Sequence, residues 1–112
     1  MKLVKKGEGS PDQAPGHYGQ AGITMLAAGK DTQRVSFIIS HFVPGGGVNK
    51  GAAPGELIYY GLTGSLRVKS NSEEFVLEPG DTIYIPAGEE REFQAIGSGP
   101  TTILVVFSPN PK

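Results

Sequence analysis

Few side chains in this sequence of 112 residues could carry out acid–base chemistry near neutral pH. Histidine is the residue type suited to that task, and the chain has two, His17 and His41. His41 lies near the end of the apolar segment RVSFIISHF, where a polar side chain needs a structural or chemical reason. Two interpretations remain open: a buried neutral histidine that makes a backbone hydrogen bond, or a general acid or base inside the protein.

The composition excludes several classes of partner and site. Ten Lys and Arg residues nearly balance eleven Asp and Glu residues, which leaves a formal net charge of −1. Such a balance does not attract a nucleic acid or an anionic membrane, so we predict neither partner. The absence of cysteine excludes disulfides and zinc–thiolate sites. The N-terminus has no apolar signal core and no segment is apolar enough to cross a bilayer, which predicts a cytoplasmic protein.

The elements that must position these residues are predicted to be short β-strands. The 17 glycines and 9 prolines separate apolar or alternating segments, and no segment keeps helical periodicity. The predicted strands are 22–28, 34–43, 56–62, 65–70, 74–78, 82–86, 91–96 and 101–107. We therefore predict a single all-β domain, a sandwich or barrel, over residues 21–112, preceded by an N-terminal arm at residues 1–20.

Two segments carry a family resemblance. The first, PGGGVNKGAAPGELIYYGLTG, begins as a predicted glycine-rich loop and runs into a strand, and the second is PGDTIYIPAGEEREF. Together they resemble the two signature motifs of the cupin superfamily, with Gly45 and Gly64 in place in the first and Gly80, Pro86 and Gly88 in the second. The resemblance implies a double-stranded β-helix, or jelly-roll β-barrel, and the pairing common among small cupins implies a homodimer.

The resemblance does not extend to the family's usual metal ligands. The corresponding positions hold Gly51 and Ala53, or Lys50 and Ala52 in a longer spacing, followed by Leu57, Arg91 and Ala95. An arginine has no lone pair for a metal ion, so we predict a cupin without a metal or other cofactor. The alternative is a metal-dependent cupin with atypical ligands, for which His17, His41 and Glu56 are the candidates.

Arg91 is the first candidate for substrate binding, because the resemblance implies that this position faces the barrel interior. A guanidinium taken out of water needs a partner. That partner is either a carboxylate of the protein, from Glu56 or Glu92, or the carboxylate or phosphate of a bound anion. Exposure to solvent at the barrel mouth is a further interpretation, and the sequence leaves all of them open.

Four further residues complete the predicted site. If Leu57 faces inward, Tyr59 does too, because side chains two apart in a strand share a face. Tyr59 then either donates its hydroxyl to a ligand or is a core aromatic residue with its hydroxyl at the rim of the barrel. Glu56 either turns into the barrel mouth through a β-bulge or is exposed to solvent. For substrate binding, Tyr84 is placed in the same cavity. His17 either is exposed or covers the barrel mouth of its own or a neighbouring subunit.

Three functions are compatible with this sequence. The first is a metal-independent cupin that binds a small anionic metabolite, a carboxylate or sugar acid, and catalyses proton transfer as an isomerase, epimerase or lyase. Its predicted catalytic residues are His41, Glu56 and Tyr59. The second is a non-catalytic module that captures the same kind of molecule, and the third is a metal-dependent oxygenase or hydrolase. The sequence does not decide whether the chain is an enzyme.

Overall fold

Nine β-strands make up the part of the chain that the computed structural model describes, residues 1–12 and 15–109. They are β1 (Ser10–Asp12), β2 (His17–Leu26), β3 (Ser36–Ala52), β4 (Gly55–Thr63), β5 (Ser65–Ser70), β6 (Glu74–Leu77), β7 (Thr82–Ile85), β8 (Glu90–Ile96) and β9 (Thr101–Pro109). The predicted all-β class is confirmed. Within these described residues there is no helix that could cross a membrane.

The strands form a curved antiparallel sheet that folds into a jelly-roll barrel. Hydrogen-bonded neighbours run in the order β6-β5-β8-β3-β9-β4-β7, and β2 pairs with both β1 and β3. The 17-residue strand β3 joins the two halves of the barrel, because residues 36–42 pair with β9 and residues 47–52 pair with β8. This confirms the predicted double-stranded β-helix, a fold in which doubling the sheet protects strand edges.

The glycine-rich segment at residues 44–47 is part of a strand and not the predicted loop. It is the middle of β3, where Gly46 lies against the backbone of Gly19 and Gly47 pairs with Gln94. The loop prediction was wrong because glycine and proline usually mark turns, whereas here the missing side chains let two backbones approach closely.

The N-terminal segment contributes two strands to the same sheet. β1 pairs with β2, and β2 begins at His17 and pairs with β3 of its own chain. The predicted boundary at residue 20 therefore falls inside β2. Residues 13 and 14 of the predicted arm, and residues 110–112 of the predicted domain, lie outside the described residues.

Alternation of side chains along the strands determines what faces the interior. Leu57 and Tyr59 of β4 are buried, while Ile58 and Tyr60 are exposed, as the two-residue period of a strand requires. The largest fully buried side chains, Leu66, Ile103 and Thr101, pack in the interior. The space that remains in the barrel, next to Tyr59, forms the candidate site.

Candidate functional site

A cavity of about 300 Å³ lies between the two halves of the barrel. Its apolar walls include Ile38, Phe42, Leu57, Phe93, Ile103 and Val105. Its polar lining includes Asp12, His17, Gln20, Ser40, Tyr59 and Arg91. A volume of this size is at the lower end of the range for small-molecule sites.

Arg91 extends into this cavity from β8. The alternation of β8 directs it inward together with Phe93, and the residue is only 8% exposed. Its Nη1 donates a hydrogen bond to the carbonyl oxygen of Gly51 at 3.0 Å, and its guanidinium carbon lies 5.3 Å from the centre of the Phe93 ring, a cation–π distance. Its Nε is buried and has no hydrogen-bond acceptor among the described residues.

Arg91 has no carboxylate partner among the described residues. Among residues 1–12 and 15–109, the ion pairs present involve other side chains. The predicted internal pairs with Glu56 and Glu92 are therefore not formed there, and the alternative of solvent exposure at the barrel mouth is wrong as well. A guanidinium this deeply buried calls for an anion, because removing it from water is costly. The planar guanidinium can bind such an anion by donating a hydrogen bond from Nε.

Tyr59 lies beside Arg91 in the cavity. Its ring packs edge-on against Phe93, with the ring centres 5.0 Å apart and the planes at 61°. Burial raises the pKa of the Tyr59 hydroxyl to about 12, and the positive charge of Arg91 acts in the opposite direction. Tyr59 therefore stays protonated at neutral pH, where its hydroxyl can donate a hydrogen bond but cannot serve as a base.

The raised pKa of Tyr59 predicts a loss of stability at alkaline pH. The folded-state pKa of about 12 exceeds the ordinary value of 10.0, so between these values the unfolded chain releases a proton that the folded chain keeps. The contribution to the free energy of unfolding is fully present below pH 10 and should fall by about 2 kcal/mol as the pH rises to 12. Tyr59→Phe should lack this decrease.

Denaturant unfolding curves between pH 8 and pH 12 measure the effect. Tyr60→Phe is the matched control, because Tyr60 is the next residue of β4 and faces outward. Its free energy of unfolding should keep the wild-type dependence on pH. If the free energy of unfolding falls equally with pH in Tyr59→Phe and Tyr60→Phe, burial of Tyr59 is not the cause of the alkaline loss of stability.

His41 lies on the outer surface, so both interpretations of it as an interior residue are wrong. Its Nδ1 is 2.9 Å from the Thr102 hydroxyl, and the side chain is exposed. The inward face of β3 carries Ser40 and Phe42 instead. The segment RVSFIISHF is apolar on both faces, and the sequence therefore did not reveal which set of alternate residues faces the cavity.

Glu56 and Tyr84 form a pair on the outer surface. The Tyr84 hydroxyl donates a hydrogen bond to Oε1 of Glu56 at 2.7 Å, and this bond raises the pKa of Tyr84. Both side chains are exposed, and neither lines the cavity that holds Arg91 and Tyr59. The predictions that Glu56 enters the barrel mouth and that Tyr84 lines the same cavity are therefore wrong.

His17 lines the cavity from β2. It pairs with Val48 of β3 in its own chain, and its Nδ1 lies 3.2 Å from the carbonyl oxygen of Pro15. A carbonyl oxygen can only accept a hydrogen bond, so Nδ1 is the donor in this contact, and in a neutral imidazole Nε2 is then an acceptor. The structure thus brings His17, Tyr59 and Arg91 to one cavity.

Two residues that the sequence did not single out also line the cavity. Gln20 Nε2 donates a hydrogen bond to the Ser40 hydroxyl at 2.6 Å. Ser40 shares a face of β3 with Phe42, so a correct assignment of the inward face would have found it. Gln20 gives no signal in the sequence, because its contact depends on the register between β2 and β3.

Comparison with known proteins identifies the fold. Residues 38–107 match the sequence model of the Cupin domain. The polyketide cyclase RemF from Streptomyces resistomycificus is 21% identical over 99% of this chain and 82% of that chain, with a TM-score of 0.82. A predicted oxalate decarboxylase from Thermotoga maritima is 22% identical over 97% of this chain and 100% of that chain, with a TM-score of 0.82. KdgF from Halomonas sp. is 17% identical over 100% of this chain and 96% of that chain, with a TM-score of 0.79.

These likenesses concern the fold alone, because each identity is below 25%. No curated protein matches the sequence.

Proposed function

Because the chain belongs to the cupin family, we propose that it captures a small organic anion in its barrel cavity, with Arg91 as the counter-ion. The observation that supports this function is the buried Nε of Arg91, which has no acceptor among the described residues. A carboxylate next to it would receive a charge-assisted hydrogen bond from the guanidinium and a second hydrogen bond from the Tyr59 hydroxyl.

The residues present do not fit the metal that the family usually holds. The motif positions carry Gly51, Ala53, Leu57 and Arg91, whose side chains offer no lone pair to a metal ion. No group of three His, Asp or Glu side chains in the described parts of the chain could hold one. The candidate atypical metal ligands do not lie together either, since His17 lines the cavity whereas His41 and Glu56 face outward.

Capture without catalysis is the form of this function that the side-chain positions support best. His41 and Glu56 lie outside the cavity, and Tyr59 keeps its proton at neutral pH. Among the site residues predicted from the sequence, His17 is the remaining candidate for proton transfer, because it lines the cavity and its Nε2 is not engaged by the Pro15 contact. It carries the second candidate function, an isomerase, epimerase or lyase that acts on the bound anion.

A thermal-shift screen of small organic acids and their neutral amides tests the capture of an anion. Acids that bind the folded protein should raise the melting temperature in a saturable way. The amides, which have the same shape without the charge, should not. If amides and acids stabilise the protein equally, Arg91 is not the counter-ion.

Histidine variants separate capture from catalysis. The measurement is proton NMR in D₂O, in which an enzyme that removes a proton next to a carbonyl would exchange that proton of a bound acid. With capture alone, wild type, His17→Gln and His41→Gln should all show only background exchange, and His41→Gln should bind the acid within about twofold of wild type. Exchange that is lost in His17→Gln and kept in His41→Gln would establish the second candidate function instead.

We also propose that two copies of the chain pair through the outward face of β3, β9, β4 and β7. This face carries Val43, Ile58, Tyr60, Leu62 and Tyr84, which are 40 to 57% exposed. A face with several exposed apolar side chains is typical of an interface. Its one carboxylate on β4, from Glu56, is hydrogen-bonded to Tyr84, so the face can meet its own copy with little repulsion between like charges.

Sedimentation equilibrium tests the pairing. The mass should be about twice the 11.7 kDa of one chain, and Tyr60→Glu should reduce it to that of one chain. Val76→Glu is the control, because Val76 is about as exposed as Tyr60 but lies on β6, away from this face. A wild-type protein that sediments as a single chain would refute the homodimer.

A further inference from the structure

We infer that the captured anion is a monocarboxylate with a mostly apolar body, an aromatic or branched aliphatic acid, and not a polyhydroxylated sugar acid. This ligand class rests on the proposed function, since it takes Arg91 as the partner of the carboxylate. It is decided by what the rest of the cavity can accept.

The body of the ligand would contact side chains that offer no hydrogen bonds. Phe42, Leu57, Phe93 and Val105 are buried and line the same cavity as Arg91. The hydroxyl groups of a sugar acid would lose their hydrogen bonds to water against these walls and gain none in return. A ring or a branched chain would instead be stabilised, because its apolar surface leaves water.

Apart from Arg91 and Tyr59, the polar groups of the cavity lie on β1, β2 and β3, whereas β4, β8 and β9 contribute apolar side chains. Arg91 and Tyr59 are occupied by the carboxylate itself. The hydroxyl of Ser36 already accepts a hydrogen bond from a backbone N–H at 2.9 Å. Gln20 and Ser40 are bonded to each other at 2.6 Å, so polar substituents of a ligand would find partners near β2 and β3 and not along the apolar walls from β4, β8 and β9.

The charges along the cavity favour a single negative charge on the ligand. Arg91 is the only lysine or arginine that lines it among the described residues, while Asp12 contributes a negative charge. A second carboxylate would therefore have no cation to meet, and would lie against either the apolar walls or Asp12. The cavity volume of about 300 Å³ suits a molecule with one ring or a branched chain of similar size.

Isothermal titration calorimetry with four probes tests this ligand class. Phenylacetate has an apolar body and one charge, phenylacetamide has the same body without the charge, phenylmalonate adds a second carboxylate, and gluconate is a polyhydroxylated monocarboxylate. Phenylacetate should bind at least about tenfold more tightly than gluconate or phenylmalonate, with a negative heat-capacity change from burial of apolar surface. Phenylacetamide should show no measurable binding.

The outcomes distinguish this ligand class from the proposed function. If gluconate binds more tightly than phenylacetate and loses affinity in Arg91→Met, the capture of an anion stands and the apolar ligand class is wrong. If no acid binds in a way that depends on Arg91, the proposed function fails and the ligand class fails with it.

A pair of variants on β9 tests whether the walls contact the ligand. Val105→Thr places a hydroxyl in the cavity without changing the size of the side chain, and should weaken phenylacetate binding about fivefold with little effect on gluconate. Val106→Thr is the matched control on the opposite face of the same strand and should change neither affinity. Unchanged phenylacetate binding in Val105→Thr would overturn the inferred contact with the walls.

Discussion

Replacing Arg91 with methionine is expected to abolish anion binding while leaving the barrel at least as stable as the wild type. The guanidinium donates a hydrogen bond to the carbonyl oxygen of Gly51, and its Nε has no acceptor among the described residues. Its burial is therefore only partly compensated. Methionine keeps an apolar contact with Phe93 without the charge. We expect the affinity for an organic carboxylate to fall about 100-fold, and the free energy of unfolding to rise by about 1 kcal/mol.

Calorimetric titration with phenylacetate and urea unfolding of the ligand-free protein measure the two quantities. Arg67→Met is the matched control, because Arg67 is exposed on β5 and lies 3.6 Å from Glu74, away from the cavity. It should change the free energy of unfolding by less than about 1 kcal/mol and leave the affinity unchanged. An Arg91→Met protein that binds like wild type, or that is destabilised by more than about 3 kcal/mol, would show that Arg91 is structural.

Arg91→Met is informative because its affinity for the anion should fall while its free energy of unfolding rises. Replacing a residue that is needed for folding lowers the stability of the protein. A residue that is needed for binding, in contrast, is often unfavourable for folding at its position. A buried cation without a protein anion is such a violation, and Arg91 is the described side chain that shows a buried, unpaired polar atom.

Gly47→Ala is expected to destabilise the barrel by about 3 kcal/mol and to weaken ligand binding with it. A Cβ atom at this position would lie 2.0 Å from the carbonyl oxygen of Phe93 and 3.0 Å from the Cα atom of Gln94. Both obstacles belong to the backbone of β8, so relief requires β3 and β8 to separate. Since β8 carries Arg91 and Phe93 into the cavity, that separation also displaces the counter-ion and part of the wall.

Gly51→Ala is the matched control on the same strand. The nearest atom to a Cβ at Gly51 is a backbone oxygen of Asn49 at 3.9 Å, and its backbone is not in the left-handed region. Here alanine should raise the free energy of unfolding by about 0.5 kcal/mol, because it reduces the freedom of the unfolded chain. Urea unfolding of the two variants is decisive, since equal effects would mean that close approach to β8 does not explain the glycine at position 47.

Part of the site could be predicted from the sequence because strand alternation is a local property. If Leu57 faces inward, the period of two places Tyr59 inward as well, and both residues are buried. The motif also placed Arg91 correctly in the interior. The same local logic failed at the glycines of residues 44–47, where a pattern typical of a turn occurs within β3.

The all-β class, the family and the pairs of residues that share a face of a strand could be predicted without the structure. The inward position of Ser40 rather than His41 could not be predicted, because alternation relates neighbouring residues to each other but does not say which face meets the core. The tertiary structure also places Glu56 next to Tyr84 on the outer surface, and leaves Arg91 without a carboxylate partner among the described residues. Such contacts depend on the register of strands far apart in the chain, which no local pattern encodes.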